Sequence, residues 1–484
     1  MAMDVEHREL ASAGPVVPTL AGCLLLGALS LVVVPSTITF DPLTWATWAR
    51  EIVHFDLNTT GGPAWKPLPV MLDVVFAPFG AVVKWVWLAI ARAGVALAAA
   101  MAYRLARRMA GPVAGLIAAG GFLLSATLLE YLAPLGMSEP LLGGLALLAI
   151  ERHLDDRYGQ AYGLIYACLL LRPETFPFFA GYSLFLWFRS RRARPWVVLL
   201  IALLPVWWLL PDYLATGNAL RSSQRAAMPT QGGPLLTGFP AWAVVESAFN
   251  AVVLPVVVGA AIAMVLAGVA YLRRREERVL AGLSLVCLGW LAVVAVETQA
   301  HLGSGDQRYL IVAYALACVL AGVGWTRGVR LAAARVGSLP AAPGGPWRVA
   351  VLAGVVVLAS LPFVASRLNE LTGNIGEVPY QAHKYGELAA LIHHVGGRRP
   401  ILACGPVTSD IYQMPALAWD LGVHQSQIVI ATATAKVPAS GTVFRSRTTR
   451  GSPVVPPTLG SSGFRLVAAT AQWQLFSTCD DLHR

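Results

Sequence analysis

The chain has 484 residues, 56% of them hydrophobic and 13% charged, with a mean hydropathy of +0.62 and a formal net charge of +10. A soluble domain carries roughly twice that share of charged residues, so the composition excludes an ordinary water-soluble fold. The basic residues sit in short breaks between apolar runs rather than on one patch, which excludes nucleic-acid binding and makes the excess charge a marker of topology.

Residues 1–14 are polar, and the apolar run that follows is of spanning length, longer than the core of a cleaved leader. Further apolar runs fall near 81–103, 111–130, 137–151, 158–172, 174–188, 195–214, 244–272, 279–297, 308–325 and 348–366. With the first at 16–36, they predict about eleven transmembrane helices, some short enough to be tilted or broken. If the N-terminus is cytoplasmic and the spans alternate, every basic cluster between spans falls on one side. Those clusters are Arg104, Arg107 and Arg108; Arg152 and Arg157; Arg189, Arg191, Arg192 and Arg194; Arg273, Arg274, Arg275 and Arg278; and Arg327, Arg330 and Arg335. This places a multi-pass protein in the plasma membrane. Outside lie the loop 37–80, a turn near 130–139, the loop 212–243, the turn 297–308 and the tail from about 367. The Gly/Pro-rich stretch 338–346 reads as a cytoplasmic linker.

The tail reads as a small α/β domain. Residues 380–395 fit a helix stopped by Gly396 and Gly397, 400–404 a buried strand, 409–421 a helix and 427–432 a strand. One or two more strands are expected in 464–477, and 436–462 reads as loop. Cys404 and Cys479 are the only cysteines in the tail, and an oxidising compartment favours a disulfide between them. Cys23, Cys168, Cys287 and Cys318 lie in apolar runs and read as small hydrophobes. No cysteine or histidine spacing suggests a metal site, and no cofactor is implied.

Ionisable groups near membrane depth are costly and therefore candidates for function. Asp41 directly follows the first span and suits a general base acting on a sugar hydroxyl; otherwise it terminates or caps a helix. Outside cations, Lys66, Arg308, His301 and also Arg221 and Arg225, suit a lipid-phosphate leaving group; otherwise they anchor headgroups. Glu130 and Glu139 flank an outer turn beside Tyr131, and either bind sugar hydroxyls or, for Glu139, open a helix. Arg172 and Glu174 interrupt an apolar stretch at Arg-Pro-Glu, as an internal ion pair or as cavity lining. Trp45 and Trp48, three residues apart on a helical stretch, share one face that stacks on a sugar or lies on lipid. Glu51 in the same loop and Asp306 in the 297–308 turn complete the set of sugar-binding candidates.

Taken in order, these features resemble the GT-C superfamily of glycosyltransferases, in its actinobacterial style. They are a multi-span body, an acid opening the first outer loop (Asp41), a Lys-Pro element late in that loop (WKPLPVML), the interrupted span LLLRPETFPF, the turn GDQRYL and an extracytoplasmic tail. The resemblance covers about residues 16–366. It implies a polytopic α-helical domain over 1–366, with a catalytic first outer loop at 37–80, and a separate α/β domain over 367–484. It also implies a polyprenyl-phosphate-linked sugar donor, a glycan or glycolipid acceptor outside the membrane, and inversion at the anomeric carbon. Asp41 would be the base, and Lys66 and Arg308 would hold the donor phosphate. The chain departs from the family in having Asp-Pro where many relatives carry paired acids, so a divalent metal is unsupported. It also lacks the second consecutive proline after Lys66. A transporter or flippase of lipid-linked substrates is the first rival reading, and the missing internal repeat counts against it. A non-catalytic scaffold subunit of envelope assembly is the second, and so many spans exceed what an anchor requires.

Overall fold

The computed structural model describes residues 15–483 except 127, 231, 275–276, 338–346, 375, 432–436, 457–458 and 460–462. The expected linker at 338–346 therefore lies outside the described residues. Every apolar run picked out in the sequence contains a helix, but the run 244–272 is broken into two at Val252 and Val253, and the helix in 111–130 ends at Leu123. The helices are α1 (Val16–Val33), α2 (Phe40–Val53), α3 (Pro67–Phe76), α4 (Val82–Ala110), α5 (Pro112–Leu123), α6 (Glu139–Leu154), α7 (Tyr158–Leu171), α8 (Phe176–Arg189) and α9 (Arg194–Trp208). They continue as α10 (Leu210–Thr216), α11 (Arg221–Ala226), α12 (Pro240–Ala251), α13 (Leu254–Arg274), α14 (Arg278–Gln299), α15 (Ile311–Gly337) and α16 (Trp347–Asn374). Among the described residues, seven helical stretches are long and apolar enough to cross a membrane, and shorter apolar helices stand beside them. The protein is a multi-pass membrane protein.

Small residues set the bundle's packing. A Cβ on Gly324 of α15 would overlap the Gly259 carbonyl of α13, so these two helices touch backbone to backbone. Arg92 of α4 is buried and donates to the carbonyls of Ser30, Pro35, Ala133 and Pro134 at 3.1–3.4 Å. It ties the end of α1 to the 133–136 turn with charge-assisted bonds. At the opposite end the arginines collect: Arg104 meets Glu151 at 2.8 Å, Arg108 meets Asp155 at 2.6 Å, and Arg327 meets Glu277 at 2.6 Å.

The C-terminal region continues as α17 (Glu377–His394), α18 (Arg398–Ala403), β1 (Val407–Ser409), α19 (Met414–Leu421), β2 (Ile428–Ile430), β3 (Thr442–Arg447), β4 (Val454–Val455), β5 (Arg465–Ala469) and β6 (Trp473–Ser477). The strand order is β2-β1-β3-β6-β5, with β4 on β3; β1 runs parallel to β2 and β3, and the remaining pairs are antiparallel. Three expectations are corrected. The stretch 400–404 is helical rather than a strand, because a five-residue apolar run carries no period and its Ile401 is buried from a short helix. The helix expected from Ser409 begins at Met414, since Ser409 closes β1. The supposed loop 436–462 contains β3 and β4; β3 is held by pairing with β6, including Phe444 opposite Leu475, which its Ser, Thr and Arg content concealed. Cys404 and Cys479 are disulfide-bonded, and the other four cysteines are free and buried.

The sheet region does not hang free. Trp45, Trp48, Trp65 and Trp87 share one core with Leu388, Leu417, Phe444 and Trp473. The Arg50 guanidinium of α2 donates to the carbonyls of Trp419, Ala418 and Val423 at 3.1–3.4 Å. His424 is clasped, with Nδ1 2.9 Å from Glu51 Oε1 and Nε2 3.1 Å from Asp56 Oδ2. Burial pushes the Glu51 carboxyl above the ordinary range, while the Asn58 N–H and His424 pull it back.

Two predictions follow from this architecture. Alkylation of denatured, unreduced protein should modify four cysteines and alkylation after reduction six; six in both cases removes the disulfide. His424→Leu should destabilise the docking of the tail by about 1–3 kcal/mol, read as faster hydrogen exchange in α2 and α19. Unchanged exchange would show that the clasp carries no load.

Candidate active site

A cavity of about 750 Å³ opens beside the N-terminus of α2, walled by the 63–66 segment, Arg172–Glu174, the 222–230 stretch, the 302–309 turn and Tyr412 from the sheet region. Its ionisable groups come from five separate places in the chain. Asp41 lies in the first turn of α2 and is 4% exposed. It makes no cap; its Oδ2 is 3.0 Å from Arg308 Nη1 and 4.0 Å from Lys66 Nζ. The helix N-terminus adds favourable partial charge for the carboxylate.

Lys66 stands at the N-cap position of α3, fixed by Pro67 at the first helical position. Its ammonium is buried 3.1 Å from Glu139 Oε1 and 3.3 Å from Ser138 Oγ, and it lies 5.0 Å from the Trp45 ring centroid. Burial pushes it below the ordinary lysine range, which Glu139 and Asp41 oppose. Arg172 grips Glu174 with two bonds of 3.1 and 2.6 Å, reaches Glu139 at 3.4 Å and lies 3.5 Å over the Tyr309 ring. The two sequence readings of this pair are thus both realised: it is an internal ion pair and it lines the cavity. Asp306 accepts from the Arg308 backbone N–H at 3.2 Å, and its Oδ2 lies 3.4 Å from Arg308 Nε.

Other candidates lie elsewhere. Glu139 is wholly buried at the start of α6, behind Lys66 and Arg172, so it serves the cations and not a sugar hydroxyl. Trp45 and Trp48 are also wholly buried, packed on Trp87 and Trp65, and neither stacks on a sugar nor lies on lipid. Glu51 faces His424 on the tail side of α2, away from the cavity. His301 is exposed, at a left-handed φ of 57°, outside the cavity wall. The side chain of Glu130 lies outside the described residues. Arg221 braces the loop through the carbonyls of Pro63, Gly61 and Gly62 at 2.6–2.9 Å, and burial pushes it down to about 10. Arg225 bonds the Gly62 carbonyl at 3.2 Å and reaches the cavity.

Glu297, Tyr309 and Tyr412 line the cavity without having been singled out. Glu297 carried a signal, a carboxylate ending an apolar span. Tyr412 carried none, since only the fold brings it there. No group of three His, Cys, Asp or Glu side chains with metal-binding geometry occurs among the described residues. Chemically, the wall offers the Asp41 carboxylate beside two cations, Arg308 and Lys66, in a space open to a ligand. An anionic ligand on this wall would compete with Asp41 for Arg308.

Glu139→Gln removes the shared acceptor of Lys66 and Arg172. It should cost about 3–5 kcal/mol, seen as a lowered Tm in detergent. Glu297→Gln, with no ion-pair partner among the described residues, should leave the Tm unchanged. Equal effects would contradict this division of roles.

No family model matches the sequence, and no curated protein matches it. Solved structures do match the fold. The crystal structure of ArnT from Cupriavidus metallidurans bound to undecaprenyl phosphate superposes with a TM-score of 0.56 at 15% identity, covering 98% of this chain and 99% of that one. The apo form of the same protein gives 0.52 at 16% identity, over 96% and 98%. The oligosaccharyltransferase of Archaeoglobus fulgidus, in complex with zinc and sulfate, gives 0.48 at 12%, over 86% and 62%. The chain has the ArnT fold along nearly its whole length.

Proposed function

We propose that this protein is an integral membrane glycosyltransferase that moves a sugar from a polyprenyl-phosphate donor to a cell-envelope glycan or glycolipid acceptor outside the membrane, with inversion at the anomeric carbon. The observation that carries the reading is the placement of Asp41 Oδ2 at 3.0 Å from Arg308 and 4.0 Å from Lys66 on a cavity at the end of the bundle remote from the arginine clusters. In this reading the acceptor hydroxyl loses its proton to Asp41 as its oxygen attacks the anomeric carbon. The bond from that carbon to the phosphate oxygen breaks, and the electron pair leaves on polyprenyl phosphate. Arg308 and Lys66 neutralise the charge that develops there. The fold shared with a protein crystallised on undecaprenyl phosphate supports a lipid-phosphate donor.

The same reading assigns 1–366 to the membrane-embedded catalytic part and 367–484 to an extracytoplasmic α/β part, with a cytoplasmic N-terminus. A lipid carrier reaches the cavity sideways from the bilayer, whereas a soluble acceptor enters from the aqueous side beside Tyr412. Neither a transporter nor a scaffold accounts for a carboxylate paired with two cations on the wall of an open cavity.

Asp41→Asn should lower turnover by about 10²–10⁴-fold while native mass spectrometry still finds undecaprenyl phosphate retained. Incubation of the native protein with a panel of polyprenyl-phosphate sugars and envelope glycan should release bare polyprenyl phosphate from one of them. Near-normal turnover of Asp41→Asn overturns the base assignment, and binding of none of the donors overturns the transferase reading.

A further inference from the structure

A second cavity, of about 710 Å³, lies between α6, α7, α8 and α14. Trp290 lines it and donates its indole N–H at 2.8 Å to the carbonyl of Tyr309, which lines the first cavity. Its walls are apolar and aromatic, including Leu283, Val286, Phe178, Tyr182 and Phe185. Charge enters at one end only, where α8 finishes at Arg189 and α14 begins at Arg278, with His153 and Asp156 beside them. Asp156 is engaged by the Tyr158 hydroxyl, His153 Nδ1 lies 3.1 Å from the Tyr182 hydroxyl, and Arg189 lies 5.6 Å from the Tyr158 ring centroid. This end faces the same side as the Arg108–Asp155 and Arg327–Glu277 pairs, opposite to Asp41.

Apolar cavities between helices accept apolar guests, and this one is open on one side, walled by α14, which is of spanning length, and by the shorter α6, α7 and α8. Basic pockets between such helices at the membrane boundary take anionic headgroups. The geometry points to a binding site for an anionic phospholipid, its acyl chain in the α6–α8–α14 cavity and its phosphate on Arg189 and Arg278. The headgroup lies at the opposite membrane face from the cations beside Asp41, so this lipid is not the sugar donor. The assignment stands whether or not the protein is a glycosyltransferase.

Gly282 allows a direct test, because a Cβ built there has no atom within 4 Å and a larger side chain would grow into open space. Native mass spectrometry of the full chain would be read with phosphatidylglycerol, phosphatidylcholine and undecaprenyl phosphate as separate probes. The intact protein should retain phosphatidylglycerol over phosphatidylcholine. Arg189→Ala with Arg278→Ala should weaken phosphatidylglycerol by about thirtyfold. Gly282→Phe should abolish its retention, and both variants should keep undecaprenyl phosphate. If phosphatidylglycerol is retained undiminished by both variants, or if undecaprenyl phosphate is the lipid lost, the site is not one for an anionic phospholipid. Should Gly282→Phe fail to give monodisperse protein, the arginine pair decides alone.

Discussion

Ionised groups buried near the membrane boundary must neutralise one another, and this constraint organises the molecule. Asp41, Lys66, Glu139, Arg172 and Glu174 are each almost wholly buried. An isolated charge in that setting costs several kcal/mol. None is isolated: Glu139 is shared by Lys66 and Arg172, Arg172 is doubly bonded to Glu174, and Arg308 joins Asp41 to Asp306. The start of α2, the cap of α3, the start of α6, the break between α7 and α8 and the turn before α15 therefore have to meet at one point. Moving any one of them exposes an uncompensated charge on another.

The network has one side turned away from the cavity and one side turned toward it. Glu139 holds Lys66 and Arg172 from behind, on the side away from the cavity. The bonds of Arg308 to Asp41 and Asp306 face the cavity instead. An anion at the wall would compete with Asp41 and Asp306 for Arg308, whose Nη1 also lies 3.9 Å from Glu139 Oε1. Preorganisation of this kind places the cost of arranging the charges in folding.

The transmembrane body was legible because apolar length and the sidedness of arginine are local signals, and each expected run contains a helix. The residues at the cavity were legible where a charge interrupted an apolar context, as at Asp41, Lys66, Arg172, Glu174 and Arg308. The tryptophans were misread for the complementary reason. Aromatic residues in an outer loop look solvent- or lipid-facing, but Trp45 and Trp48 are buried against Trp87 and Trp65 in a core shared with the sheet region. Glu51 followed the same course, since its partner His424 is 373 residues away. Strand β3 was hidden because its polar residues are made into a strand by β6. For Glu51 and β3, what the sequence did not disclose is a long-range contact, whose partner no local pattern announces; at 400–404 it is a run too short to carry a period.

The clamp of Arg50 on the carbonyls of Ala418, Trp419 and Val423 joins positions 368–373 residues apart. Chains grow at roughly 5–20 residues per second, so α2 waits on the order of 20–70 s for the segment that fixes it. During that interval the helix bearing Asp41 lacks its outer support, and the cavity lacks Tyr412. Assembly of the site is thereby tied to completion of the polypeptide. A truncated chain could insert all its spans and still present an unfinished pocket, so membrane insertion and completion of the cavity become separate events in the life of the molecule.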